Sequence, residues 1–436
     1  MPPRGSTKRR RGRGRATEAA AAAAAAADAL LSLPPEVLDD ILIRVGILDA
    51  VRTSALSRAW RRRWEELSSL DLCFSLSGDD EGARKGLGAV DGVLLRCPGR
   101  VQRFCADLDN TYAGRIHDWL RVISGRGVEI LSLTFGDGFP ALPSSVFSCG
   151  RITSLSLSGC SIPPLPPGFL GFPELRTLVL TTVRLHDSGE YQLEQIIATS
   201  PLLENLQLGD VLFSGGHVKN WVIWAPNLRH LMICSDNNDG WVLKELASLC
   251  SAEIAFSDFV LHGDFVKFLS GLVQVSELVL APFNIPSNVE MLEILLCTFH
   301  NLKSLTLLMH FCKQPPIMLA LCLLKSAPNL EKLRIEIFDE KEQIFEANGE
   351  FLNALWTDGM CANLQVVQMI GITWRPNEMS FIELILSKAR LLHTLSISHG
   401  EQIVMSNEDA LNELLRYKRA SAEAQVIFKG KAEKYY

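Results

Sequence analysis

Cys297, His300, His310 and Cys312 are the residue types that hold zinc, and they fall within sixteen positions of one another. The first pair closes a helical stretch and the second follows the next strand-like segment, so the spacing does not favour a tetrahedral centre. The chain has neither a GxxxxGK[ST] phosphate loop nor a GxSxG nucleophile elbow, and Gly86-Leu87-Gly88 with Gly92 has the wrong third spacing for a dinucleotide turn. The expectation is a non-catalytic protein with no cofactor and no metal. The residues that matter must then be those that bind.

Binding candidates begin in the basic start of the chain. Arg4, Lys8, Arg9, Arg10, Arg11, Arg13 and Arg15 give the first fifteen residues a charge of +7 with no acid, which leaves −13 for the rest of a chain whose net charge is −6. Such a segment cannot bury a core. KRRRGRGR reads either as a nuclear-localisation or nucleic-acid patch or as a solvated tail. The nine alanines Ala19–Ala27 that follow imitate a targeting peptide, but Asp28 interrupts the run before the first leucines, and a low-complexity extension is the plainer reading. No stretch reaches the ~18 to 20 consecutive apolar residues of a membrane-spanning helix. The eleven cysteines have irregular spacings, which suits reduced thiols in a nuclear or cytoplasmic protein better than a disulfide framework.

The strongest local pattern is LLSLPPEVLDDILIRVGILDAVRTSALSRAWRRRWEEL. Val37, Leu38, Ile41, Leu42 and Val45 fall on one helical stripe. Pro34 and Pro35 suit a helix entrance, and Gly46 interrupts the pattern, so the spacing predicts a helix over 35–45. Asp49 is placed to cap a second short helix bearing Val51, Ala55 and Leu56, and Ser57 a third carrying Trp60 and Trp64 one turn apart. Forty residues enclose little core, so several of these apolar groups need cover from the following domain or from another chain.

These residues resemble the F-box family, whose plant members carry LPxExLxxIL, then DAVRTS, then LSxxWRxxW. Leu33-Pro34, Glu36-Val37-Leu38, Ile41-Leu42, Asp49 to Ser54, Leu56-Ser57 and Trp60-Arg61 with Trp64 occupy the matching places. Gly46-Ile47-Leu48 departs from the Pro and basic residue usual there. The resemblance implies that Leu33, Pro34, Glu36, Val37, Ile41, Leu42, Val51, Leu56, Ser57, Trp60 and Trp64 grip a Skp-family adaptor, and through it a cullin.

Beyond residue 67 a hexad recurs: apolar, two variable, apolar, one variable, apolar. Its central positions are Leu70, Leu131, Leu155, Leu178, Leu206, Leu231, Leu278, Leu305, Leu333, Val367 and Leu395, with weaker copies around Phe104 and Ile254. The steps run mostly inside the ~20 to 29 residues of leucine-rich repeats. Each hexad reads as a strand with two inward side chains, and QLEQIIATS, WVLKELASLC, VEMLEILLCTF, PIMLALCLLKSA and FIELILSKA read as the intervening helices. One repeat alone has an open apolar side that stacking covers. The expected fold class is α/β, an N-terminal three-helix F-box followed by a leucine-rich-repeat solenoid, a curved parallel sheet with outer helices.

Variable hexad positions fall on the opposite, concave face. Arg176, Glu204, Arg229, His230, Glu277, Lys303, Lys332 and Arg334 are the candidate contacts there, and their mixed charge suits a protein substrate better than nucleic acid, which would need a basic stripe. From Cys361 onward the chain also resembles the FBD region of plant F-box repeat proteins, through Leu414-Leu415, Arg419-Ala420-Ser421 and Ala424-Gln425-Val426. The division predicted is 1–29 tail, 30–68 F-box, 69–360 repeats and 361–436 FBD-like repeats and cap. The family resemblance implies a substrate receptor of a Skp–cullin–F-box ubiquitin ligase; a ligase-independent interaction scaffold is the alternative.

Overall fold

The computed structural model describes residues 32–45, 47–53, 60, 62–76, 81–136, 138–186, 188–213, 221–235, 241–256, 264–282, 297–338, 344–357, 359–401 and 403–431. The basic and alanine-rich tail, Gly46, Leu56, Ser57 and most of the helix expected at VEMLEILLCTF lie outside them. Contacts divide the chain into two compact units, Met1–Glu174 and Leu175–Tyr436.

The first unit opens with helices α1 (Pro35–Val45) and α2 (Ile47–Arg52) and a 3-10 turn at Arg63–Glu66. Pro35 heads α1, where its missing N–H costs nothing, and the Pro34 carbonyl accepts from Val37 N at 3.0 Å and Leu38 N at 3.2 Å. Helix α2 starts at Ile47, two residues before the cap expected at Asp49; Asp49 sits instead in its first turn, paired with Arg52 at 2.5 Å. Of the third helix expected, the described part is the 3-10 turn holding Trp64.

Strands β1 (Ser69–Leu76), β2 (Arg100–Leu108), β3 (Ile130–Phe135) and β4 (Ser154–Ser158) then form a parallel sheet, followed by a short β5 (Ser161–Ile162). Parallel neighbours need long crossovers, here supplied by α3 (Glu81–Arg96) and α4 (Ala113–Ser124) for the first two steps. Phe104, Leu131 and Leu155 share one rung, all buried. The rung residue of β1 is Leu72, not the expected Leu70, because a register shift after Leu70 pairs that leucine with Val101. Both leucines point inward, so spacing alone could not choose between them.

The second unit repeats the theme. Its main ladder joins β6 (Thr177–Thr181), β8 (Asn205–Gly209), β11 (His230–Ser235), β13 (Ser251–Phe256), β14 (Glu277–Pro282), β15 (Ser304–Met309), β16 (Lys332–Ile337), β17 (Val366–Ile372), β18 (Thr394–His399) and β19 (Gln425–Lys431), every step parallel. The short strands β7 (Arg184–Leu185) and β9 (Leu212–Phe213) pair beside it, as do β10 (Trp221–Trp224) and β12 (Trp241–Lys244). Helices α5 (Gly189–Ala198), α6 (Asp264–Ser270), α7 (Gln314–Ser326), α8 (Gly349–Leu355), α9 (Pro376–Lys388) and α10 (Asn407–Arg416) lie in the crossovers.

The predicted central residues pair directly, Leu178 to Leu206 to Leu231, and Leu278 to Leu305 to Leu333 to Val367 to Leu395. The weak copy at SAEIAF is the exception. Ala252, not Ile254, continues the rung between Leu231 and Leu278, while Ile254 pairs with Ile233. WVLKELASLC is likewise not a helix: Trp241–Lys244 is a strand beside WVIW at 221–224. Aromatic and β-branched residues favour a pleated, half-buried surface, and the paired strand supplies one.

Candidate functional site

Helix α1 carries two apolar stripes rather than one. Leu38 and Leu42 are buried, at 4% and 1% exposure, whereas Val37 and Val45 stand 43% and 50% exposed. Ile41, half-buried, lies between the two valines at the i+4 spacing of one helix face, and exposed Pro34 precedes Val37 on the same side. Polar groups flank this outward row: Glu36 in the first turn, where the helix dipole favours a carboxylate, and the Asp40–Arg44 pair at 3.6 Å.

The tryptophans turn the other way. Trp60 and Trp64 are 2% and 1% exposed, and the Arg96 guanidinium at the end of α3 lies 4.9 Å from the Trp64 ring centre. Cover for these rings therefore comes from the same chain, whereas among the described residues Val37 and Val45 stay largely exposed. Of the eleven residues expected to grip an adaptor, Pro34, Glu36 and Val37 are exposed; Leu33, Ile41 and Val51 are half-buried; Leu42, Trp60 and Trp64 are buried and hold the module together; Leu56 and Ser57 are outside the described residues. Val45, exposed on the outward row, belongs with the surface residues. Its spacing was visible in the sequence, but not the side it faces.

The candidate contacts on the repeat strands fall into two rows. Arg176, Glu204, Arg229 and Lys303 each precede a strand, and their carbonyls each accept two consecutive N–H groups of the next repeat: Glu204 N at 2.8 Å and Asn205 N at 2.9 Å on Arg176, Arg229 N at 2.8 Å and His230 N at 3.0 Å on Glu204. This repeated fork fixes where the side chains emerge. His230, Glu277, Lys332 and Arg334 lie within strands, on the face opposite the buried leucines.

Several of these charges are already paired. Arg176 bridges Glu204, Lys303 Nζ meets Glu331 at 2.6 Å, and Arg334 meets Glu336 at 2.5 Å while donating to Gln368 at 3.3 Å. His230 Nδ1 lies 2.8 Å from Ser251 Oγ. Glu331, Glu336 and exposed Glu253 belong to the same surface and were not among the sequence candidates; Glu331 fills the same hexad position as Lys303 and was legible in the repeat, whereas Glu253 and Glu336 are brought alongside by the strand register. The result is a row of balanced charge rather than a basic stripe.

His310 is buried, and its Nδ1 accepts from the Cys312 backbone N–H at 3.2 Å. Among the described residues no group of three or more His, Cys, Asp or Glu side chains is placed to hold a metal ion. No described helix is long and apolar enough to cross a membrane. A small cavity lined by Leu208, Phe213, Trp221, Ile233 and Trp241 has the size of about one water molecule.

Comparison with known proteins shows what this arrangement is similar to. Residues 30–71 match the F-box domain, and residues 116–255 match the leucine-rich repeats of the FBD-associated F-box protein At5g56370. The F-box/FBD/LRR-repeat protein At1g13570 of Arabidopsis thaliana is 28% identical over 92% of this chain and 98% of its own length. F-box/LRR-repeat protein 13 of the same plant is 24% identical, over 92% of this chain and 96% of its own. An LRR protein of Leptospira interrogans superposes over 85% of this chain and 92% of its own, with a TM-score of 0.34 and 13% identity, a likeness too slight to bear on the fold. With a match to the F-box ahead of a match to FBD-associated repeats, and relatives of that build along 92% of its length, the chain is similar to the F-box/FBD/LRR-repeat proteins of Arabidopsis thaliana.

Proposed function

We propose that this protein is the substrate-receptor subunit of a Skp–cullin–F-box ubiquitin ligase. The observation that carries the reading is the outward apolar row Pro34, Val37, Ile41 and Val45, on the first helix of the segment that matches the F-box. An exposed apolar row with a polar rim is what a helical partner covers, and the partner here is a Skp-type adaptor that brings a cullin with it. The mixed-charge face of the repeats, with Arg229, His230, Glu277 and Lys332 exposed, then holds a protein substrate. The chain's contribution to ubiquitin transfer is proximity: it raises the concentration of substrate lysines near the charged enzyme and makes no bond itself. The basic start supports a nuclear as well as a cytoplasmic pool.

The test is affinity purification of the full chain with the proteasome inhibited, beside a Leu33→Ala, Pro34→Ala variant. Adaptor and cullin should accompany the wild type and be lost from the variant, while proteins that accumulate with both are substrate candidates. Adaptor without cullin would favour the ligase-independent scaffold; adaptor retained by the variant would remove the F-box reading.

A further inference from the structure

Two kinds of contact set the orientation of α1. Leu38 and Leu42 pack inward, and apolar packing is non-directional: it tolerates small rotations and slides. Arg63 is different. From the 3-10 turn that carries Trp64, its Nη2 reaches back to the start of α1, donating to Asp39 Oδ1 at 2.9 Å and to the Pro35 carbonyl at 3.3 Å. Its Nη1 donates to Glu66 Oε2 within the turn at 2.8 Å. One planar guanidinium thus joins the first turn of the helix to the turn that seats the tryptophan.

The pair is largely removed from water, with 19% of the Arg63 side chain and 22% of the Asp39 side chain exposed. Arg63 Nε is buried and has no hydrogen-bond partner among the described residues. A buried, unbonded N–H is unfavourable, so the guanidinium is wedged where its other nitrogens are held rather than where all of them are satisfied. Lysine could not reproduce this, because a single ammonium cannot fork across Asp39, the Pro35 carbonyl and Glu66 at fixed angles.

We propose that Arg63 is a positioning residue for adaptor binding: it fixes the rotation of α1 about its own axis, and so the direction in which Pro34, Val37, Ile41 and Val45 face. The inference rests on the adaptor reading above but concerns a residue outside the outward row. It requires that loss of Arg63 weakens the adaptor complex while the F-box region stays folded, and that Arg63 and Asp39 act as one unit.

The experiment uses the full chain as wild type, Arg63→Met, Arg63→Lys, Asp39→Asn and the Asp39→Asn, Arg63→Met double variant. Calorimetric titration with a recombinant Skp-type adaptor is paired with hydrogen exchange of the free chain. Arg63→Met should bind about tenfold more weakly, Arg63→Lys should recover only part of that, and the double variant should bind no worse than Arg63→Met. Exchange should quicken across 35–45 and stay unchanged across β1–β3, which separates lost positioning from general unfolding. If Arg63→Met unfolds the module, Arg63→Lys and Asp39→Asn carry the same comparison. Wild-type affinity and exchange in Arg63→Met, or additive losses in the double variant, would overturn the proposal. Failure of the wild type itself to bind would sink the adaptor reading and with it the role in binding, and the exchange arm would still show whether Arg63 holds the helix.

Discussion

Val37 and Leu38 are neighbours in the chain, yet one faces solvent and the other the core, and that single step divides the expected adaptor residues into two kinds. Substitutions should divide the same way. Val37→Asp places a charge on an exposed apolar row, so the thermal transition should stay within about a degree of wild type while adaptor affinity falls at least about tenfold. Leu42→Ala and Trp64→Ala instead open cavities in a closed core, at a cost of about 2–5 kcal/mol each, and should lose adaptor only as far as they lower stability. Titration beside differential scanning fluorimetry separates the two classes. The motif was legible because its residue types and spacings are specific over thirty positions. The side each residue faces was not, because i, i+1, i+4, i+5 and i+8 form one broad stripe until the rest of the unit covers half of it.

At the scale of elements, period-2 and 3.6-period patterns located most strands and three of the four repeat helices expected within the described residues, α5, α7 and α9, and failed where a segment satisfies two readings. In SAEIAF, Ala252, Ile254 and Phe256 are all apolar at strand spacing, so either of two registers fits, and only pairing with Leu231 and Leu278 decides. WVLKELASLC has helical spacing, and a partner strand overrides it. The start of α9 shows local chemistry the pattern could not reveal. Glu378, buried, accepts from Thr373 N at 2.9 Å, Arg375 N at 3.1 Å and Thr373 Oγ1 at 2.9 Å. Burial pushes its carboxyl above the ordinary value of 4.5, although these hydrogen bonds pull the other way. The folded state therefore holds the proton more readily than the unfolded chain. The stability tied to this group is fully present below the ordinary value and declines as pH rises through the raised one. Glu378→Gln, which keeps a carbonyl acceptor and cannot ionise, should lose that pH dependence and cost under about 1 kcal/mol at neutral pH, whereas Glu378→Ala, leaving buried donors unbonded, should cost about 3 kcal/mol. Urea melts from pH 5 to 8 read both effects; equal losses in the two variants would contradict the assignment.

At the scale of the whole molecule, the parallel sheets make stability a matter of neighbours, since each strand is covered by the next. Among the described residues β19 is the edge strand of this sheet: none of its residues is buried, Lys429 and Lys431 are exposed along it, and Trp374 Nε1 donates to Asn407 Oδ1 at 2.7 Å to tie α10 to the preceding repeat. Charged lysines on an edge discourage further pairing. Removing residues 425–431 should quicken hydrogen exchange in β18 and raise aggregation while leaving exchange in β6–β11 unchanged, whereas a uniform loss of protection would mean the repeats do not behave as a nearest-neighbour array. On the function proposed above, these features belong to a chain that connects two other proteins. The most direct test of that claim is the dissociation constant of the full chain for a Skp-type adaptor, measured for wild type and for a Val37→Asp, Val45→Asp variant. The account predicts saturable one-to-one binding by the wild type and a loss of at least about a hundredfold in the variant with its melting transition intact. Equal affinities for the two, or no binding by either, would contradict it.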